Sequence, residues 1–176
     1  AGPATRASDF LTMEDKRYRA TILLGTKTDT LDMAGEILEE NPVNVTEDEI
    51  YAVLKKFTGD IKQIPPMYSA IQVNGQRLYH LARQGVEIER EARDITVFSI
   101  EVEKIELPEI TVNVHCSKGT YIRTLASDIG EALGCGGCIK ALQRTSSGVF
   151  TLDKAISPEE LIQLSEKGEV EKAILP

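Results

Sequence analysis

From Tyr18 to Leu24 the chain alternates, with Tyr18, Ala20, Ile22 and Leu24 on one face and Arg17, Arg19 and Thr21 on the other. That alternation predicts a half-buried strand. Thr46 and Glu49 have capping-box spacing, and Ile50, Val53, Leu54 and Phe57 follow at helical intervals, so a helix is predicted that ends near Gly59. The run Gln63-Ile64-Pro65-Pro66 must be extended or turning, because proline fixes its own φ and disfavours helix in the residue before it. Met67 to Val73 reads as a strand with a turn at Asn74-Gly75, and Leu78 to Arg83 as a short helix closed by Gly85. Ile95 to Val102 is predicted as a strand, and Ile110, Val112, Val114 and Cys116 mark the inward face of the next. A helix begins after Thr120, where Thr120 can cap and Ile122, Leu125, Ile129 and Leu133 share a face. Ile139 to Arg144 is a further strand, and Ser157-Pro158-Glu159-Glu160 is a strong helix start.

Neighbouring pairs of strands separated by single helices predict an α+β fold: a mixed, largely antiparallel sheet with flanking helices. A chain of 176 residues can bury one sizeable core. No apolar run approaches a membrane span, and the N-terminus does not read as a signal peptide. Three cysteines without a disulfide spacing suggest a reducing compartment, so cytoplasmic localisation is expected. The net charge of -8 argues against a nucleic-acid partner only on average. Residues 33–60 hold seven acids against two bases, and residues 153–176 six against three. Between 117 and 147, Lys118, Arg123, Lys140 and Arg144 face only Asp128 and Glu131, and Arg77, Arg83, Arg90 and Arg93 form a second basic stretch. Composition permits RNA binding without implying it.

The segment Ser117 to Thr124 is the hardest to explain as plain structure. It joins an alternating strand to an amphipathic helix, and backbone amides at such a start favour an anion. Arg123 sits in the first turn, where its charge opposes the helix dipole by ~0.3–1 kcal/mol. A carboxylate or phosphate gripped by its planar fork would reverse that penalty. The blander reading is a capped helix with a surface arginine.

Six motifs in fixed order then resemble TruB-type tRNA pseudouridine synthases of bacteria. They are Lys16-Arg17-Tyr18; Thr28 to Gly35; Pro65-Pro66-Met67-Tyr68-Ser69-Ala70; Leu78 to Gly85; Lys118-Gly119-Thr120-Tyr121-Ile122-Arg123-Thr124-Leu125; and Leu142-Gln143-Arg144-Thr145 with Gly148 and Phe150. The resemblance implies an isomerase that flips a uridine from the T arm of tRNA and converts it to pseudouridine without metal or cofactor. It implies that Tyr18 stacks on the flipped base and that Arg123 pairs with a catalytic aspartate. It also implies substrate contacts from Tyr121, Leu142, Asp32, Lys118, Arg77, Arg83 and Arg93. By pattern alone, Tyr18 and Leu142 could be core, Asp32 an Asx-turn residue before Gly35, and the arginines solvated charge. Residues 1–176 resemble a partial pseudouridine synthase domain, with an RNA-clasping insertion at about 61–93. Guide-RNA-dependent relatives are a weaker match through Pro65 to Arg93 than the bacterial stand-alone type.

Cys135-Gly136-Gly137-Cys138, with His115 and Cys116, has the spacing of half a zinc site, but four ligands in two close pairs are wanted and no metal is expected. Thr30-Leu31-Asp32 superficially resembles the family's catalytic aspartate motif but follows Tyr18 instead of preceding it, so Asp32 is not expected to be the nucleophile. Ala1 to Arg6 aligns just after that motif, and the resemblance also includes a later RNA-binding domain. The expectation is therefore a fragment, inactive alone, whose Arg123 lacks its carboxylate and whose partners are the T-arm stem-loop and a missing N-terminal segment. The alternative is an RNA-binding module that keeps the cleft without catalysis.

Overall fold

A computed structural model describes residues 12–73 and 75–173. Its main sheet has six strands in the order β10-β9-β1-β8-β7-β4. These are β1 Lys16–Leu24, β4 Gly59–Gln63, β7 Arg93–Glu106, β8 Glu109–Cys116, β9 Gly137–Ser147 and β10 Phe150–Thr151. All five pairings are antiparallel, with Ala20 opposite both Val112 and Leu142. Short hairpins β2 Thr26–Thr28 with β3 Ile37–Glu40, and β5 Gln72–Val73 with β6 Gln76–Arg77, lie outside this sheet. Among the described residues the helices include α1 Glu47–Lys56, α2 Leu78–Arg83, α3 Ile122–Ala132 and α4 Pro158–Glu166. No helix among the described residues is long and apolar enough to cross a membrane.

The β1 alternation does what it predicts. Ala20, Ile22 and Leu24 are buried with Val112, Val114 and Val97, while Arg17 and Arg19 are exposed on the opposite, solvated face. Helices α1 and α3 cover the apolar face with Ile50, Val53 and Leu54 and with Ile122, Leu125, Ala126 and Ile129. One-sided burial of this kind is the ordinary arrangement of an antiparallel sheet. Both capping boxes form: Thr46 with Glu49 opens α1, and Ser157 with Glu160 opens α4.

Two expectations need correction. Met67 to Val73 is not one strand; only Gln72–Val73 pairs, because Pro66 cannot donate to a ladder and the Ser69 amide turns back onto the Met67 carbonyl at 2.9 Å. Thr120 does not cap α3. The N-cap position is Tyr121, and the Thr120 hydroxyl donates to the Ser117 carbonyl instead. Helix α1 ends at Lys56, near Gly59 as expected, and Gly59 itself begins β4 at φ +106°. Asn74 of the expected turn, and the Ala1 to Arg6 stretch, lie outside the described residues.

Strands β4 and β7 pair through Gln63 opposite Arg93, so residues 64–92 leave and re-enter the sheet at one closed neck. At the other end of α3 the Gly134–Gly137 turn returns the chain into β9. There the helix approaches so closely that a Cβ on Gly130 would lie 2.3 Å from the backbone of Gly136 and Gly137.

Two outcomes are expected. Gly130→Ala should destabilise the fold by about 2 kcal/mol in urea unfolding, since overpacking against backbone outweighs the helix-propensity gain of ~1 kcal/mol. All three cysteines are buried and free, and burial pushes the Cys116 thiol up to about 11. Thiolate is the reactive form. A thiol-reactive dye at pH 8 should therefore leave the native chain unlabelled and label three sites only after unfolding.

Candidate functional site

Two structures meet at the start of α3. The first is a cavity of about 260 Å³ lined by Thr12, Lys16, Tyr18, Ser117, Gly119, Thr120, Arg144 and Ser147. Tyr18 stands on the inward side of β1 and is half-buried against the core, opposite Arg144 of β9. Burial, aided by the neighbouring Cys116, pushes the Tyr18 phenol above its ordinary range against the opposing pull of Arg144. The phenol therefore stays protonated at neutral pH and offers a ring face and a donor. Gly119 takes φ +80° in the turn that forms the cavity wall, a conformation glycine adopts without cost.

The second is the anchorage of Arg123. Its Nη1 donates to Asp32 Oδ2 at 3.1 Å and to the Thr30 carbonyl at 3.0 Å, and its Nη2 donates to the Tyr68 carbonyl at 2.6 Å. Arg123 and Asp32 side chains are 25% and 26% exposed, enough desolvation for the charge pair to matter. This corrects the expectation of an arginine without a carboxylate. Asp32 takes the Asx-turn role, its Oδ1 accepting from the Thr30 hydroxyl and the Ala34 amide, while Oδ2 faces Arg123.

The loop holding Asp32 is tightly built. Leu31 sits at φ +63°, a left-handed conformation that costs a non-glycine residue of order 1 kcal/mol. The Thr28 hydroxyl donates to the Asp32 carbonyl, and the Ile139 amide and carbonyl of β9 bond to Leu31 and Met33 on either side of it. Gly35 is required by close approach, because a Cβ there would fall 2.2 Å from Asp29 Oδ1 and Thr30 Oγ1.

The remaining expected residues scatter. Leu142 lies on β9 at 43% exposure, so it is not plain core. Tyr121 does not line the Tyr18 cavity; its backbone is held by the buried carboxamide of Gln63. Lys118 is exposed, 3.0 Å from the Met13 sulfur. Arg77 and Arg83 lie over the Tyr79 ring at 6.0 and 5.6 Å, and Arg93 is exposed at the neck of the 64–92 excursion. Arg90 is committed internally to the Pro65 carbonyl and Glu87. Among the described residues no three His, Cys, Asp or Glu side chains converge as metal ligands. Cys138 lies against the Met33 sulfur, and His115 against Asp15.

Sequence reasoning missed Gln63, Thr30 and Tyr68 as parts of this site. Thr30 and Tyr68 lie within quoted motifs, but both reach Arg123 through backbone carbonyls, which leave no signature in residue type. Gln63 had one available signal: a polar residue at the end of a strand, just before the double proline.

The family model for the TruB family pseudouridylate synthase N-terminal domain matches residues 1–122, and that for the tRNA pseudouridylate synthase B C-terminal domain matches residues 123–176. The tRNA pseudouridine synthase B of Alkaliphilus oremlandii is 51% identical over 175 residues, covering 99% of this chain and 58% of that protein. That of Actinobacillus pleuropneumoniae is 47% identical, again over 99% and 58%. The chain thus spans 58% of the length of these two relatives. Among solved structures, a Cbf5-Nop10-Gar1 complex contains a chain that matches at TM-score 0.73 and 32% identity, over 98% of this chain and 45% of that one. An H/ACA RNP bound to a substrate RNA containing 2'-deoxyuridine matches at TM-score 0.68 and 29% identity, over 98% and 43%. With the family model matched over residues 1–122 of 176, the chain belongs to the TruB family of pseudouridylate synthases.

Proposed function

We propose that this chain forms the core of an enzyme that isomerises uridine 55 in the T arm of tRNA to pseudouridine. The observation that carries the reading is the anchorage of Arg123 on Asp32, Thr30 and Tyr68, one helical turn from a cavity walled by Tyr18. Identity of 51% to a bacterial synthase B, against 32% to the Cbf5 chain, supports the stand-alone type. The reaction breaks the C1'–N1 bond, forms C1'–C5, removes the proton from C5 and returns one to N1. Atoms balance without an oxidant, a reductant or water, which is why no metal or cofactor enters the proposal.

In this reading the target base leaves the stack, at a cost of a few kcal/mol, and its ring lies against Tyr18 with Leu142 nearby. Tyr18 is protonated at neutral pH, so it holds and orients the ring and takes up the C5 proton only through a relay. Arg123 supplies fixed positive charge to the nucleophilic carboxylate and the sugar. Asp32, already engaged by three donors, serves to hold Arg123 and is not the nucleophile. Lys118, Arg77, Arg83 and Arg93, with the excursion at 64–92, would grip backbone phosphates, which position RNA without reading sequence.

The test is tritium release from a T-arm stem-loop labelled at uridine C5, run with the complete enzyme whose core this chain forms. Arg123→Ala should lower the single-turnover rate by at least about 10³-fold while RNA affinity stays within about fivefold. A parallel loss of affinity would instead make Arg123 a phosphate contact. Stem-loop binding with no tritium release from the unaltered protein would favour an RNA-binding module without catalysis. Asp32→Asn should lower the rate by about 10–10²-fold, less than loss of Arg123 itself, because the two carbonyl acceptors remain.

A further inference from the structure

Gln63 is a glutamine at the end of a strand and only 2% exposed. A buried carboxamide must find partners for both its donor and its acceptor. Gln63 finds both on one residue: its Nε2 donates to the Tyr121 carbonyl at 3.1 Å, and its Oε1 accepts the Tyr121 amide at 2.8 Å. Only one orientation of the carboxamide satisfies that pair. Tyr121 is the N-cap residue of α3, and no side chain of its own loop caps that helix. The same Tyr121 carbonyl also receives the first intrahelical bond, from Leu125 at 3.0 Å. The side chain of a neighbouring strand therefore does the work of a cap, two residues before Arg123.

The segment that carries Gln63 grips α3 a second time. Five residues on, the Tyr68 carbonyl accepts Arg123 Nη2 at 2.6 Å. Between the two grips lie Pro65 and Pro66, which restrict the backbone and make the spacing between them stiff. Pro65 is itself held through its carbonyl by Arg90, from the far limb of the excursion.

We propose that Gln63 is a positioning residue for Arg123. Its carboxamide sets the first turn of α3 so that the guanidinium reaches Asp32 and Tyr68 together, and so ties the 64–92 excursion to the reacting centre. The inference rests on the proposed role of Arg123 in the reaction. Its geometric half, that Gln63 sets the surroundings of Arg123, can be measured without any turnover.

Gln63→Met keeps the chain length and removes both hydrogen bonds. Gln63→Glu keeps an acceptor for the Tyr121 amide and loses the donor. In the complete enzyme, displacement of Arg123 by about 1 Å should lower the single-turnover rate of Gln63→Met by about 10²-fold. Affinity for the stem-loop should stay within about threefold, and Gln63→Glu should lose less rate than Gln63→Met. The Arg123 Nε–H cross-peak in a nitrogen–proton spectrum, assigned by its loss in Arg123→Lys, should shift in both variants. A rate within about threefold of wild type, an equal fall in rate and affinity, or an unmoved Arg123 cross-peak overturns the proposal. If Gln63→Met fails to fold, Gln63→Glu carries the same comparison. If the unaltered protein releases no tritium, the enzymatic reading fails, and the cross-peak alone decides whether Gln63 positions Arg123.

Discussion

The site depends on one cation held by acceptors from distant parts of the chain. Arg123 lies in the first turn of α3, where the dipole disfavours it, and only the acceptors around it make that placement tolerable. Asp32 neutralises the charge, while the Thr30 and Tyr68 carbonyls fix the plane of the guanidinium. A partly buried charge pair contributes less to stability than to geometry, because desolvation offsets much of the Coulomb gain. The surroundings show the same emphasis. Leu31 accepts a left-handed backbone, and Gly35 accepts crowding by Asp29 and Thr30, so that the Asp32 carboxylate points at the helix. Strain of this kind persists only where the neighbouring structure over-determines it, here through the Ile139 bridge from β9.

Elements whose cause is local were legible in the residues. Both capping boxes lie within four consecutive residues, and β1 and β8 carry the alternation that a one-sided sheet imposes. What escaped had no local cause. The β2–β3 hairpin was invisible because Ile37 to Glu40 are all exposed, leaving no inward face to read. Strand β4 is short, begins at a glycine and buries a glutamine at its end, which contradicts the usual pattern. The run from Met67 looked like a strand because its composition suits one, but its backbone amides and carbonyls are committed to turns and to Arg123. For the site, the helix-dipole argument asked for an anion at Arg123. It could not find Asp32, which is 91 residues upstream and reached only through tertiary packing.

Charge illustrates why an average misleads. The net charge of -8 sits poorly with a polyanionic partner until the cations are sorted by what holds them. Arg19, Lys27, Lys62, Lys104, Lys140 and Lys172 are taken up in ion pairs with carboxylates. Arg77, Arg83, Arg93, Arg144 and Lys118 form no ion pair among the described residues, and they belong to the excursion, its neck, the Tyr18 cavity and the α3 approach. Counterion release on phosphate binding depends on such unpaired cations and little on the overall sum. An acidic chain can therefore present a basic working face.

The neck formed by Gln63 and Arg93 joins the excursion to the sheet and, through Gln63, to the start of α3. Closing it by strand pairing costs little extra entropy for a long loop, and residues 64–92 are tied internally by the Leu78 amide to Ile71, the Tyr79 amide to Ser69 and Arg90 to Pro65. The base of the excursion is fixed to the helix that bears Arg123. The base is where Gln63 grips Tyr121 and where the stiff Pro65-Pro66 step delivers the Tyr68 carbonyl to the guanidinium. Any movement that rotates the neck must strain the hydrogen bonds on Tyr121 and Arg123 together. The hydrogen bonds on Tyr121 and from Arg123 to Tyr68 thus link the base of the excursion directly to the first turn of α3.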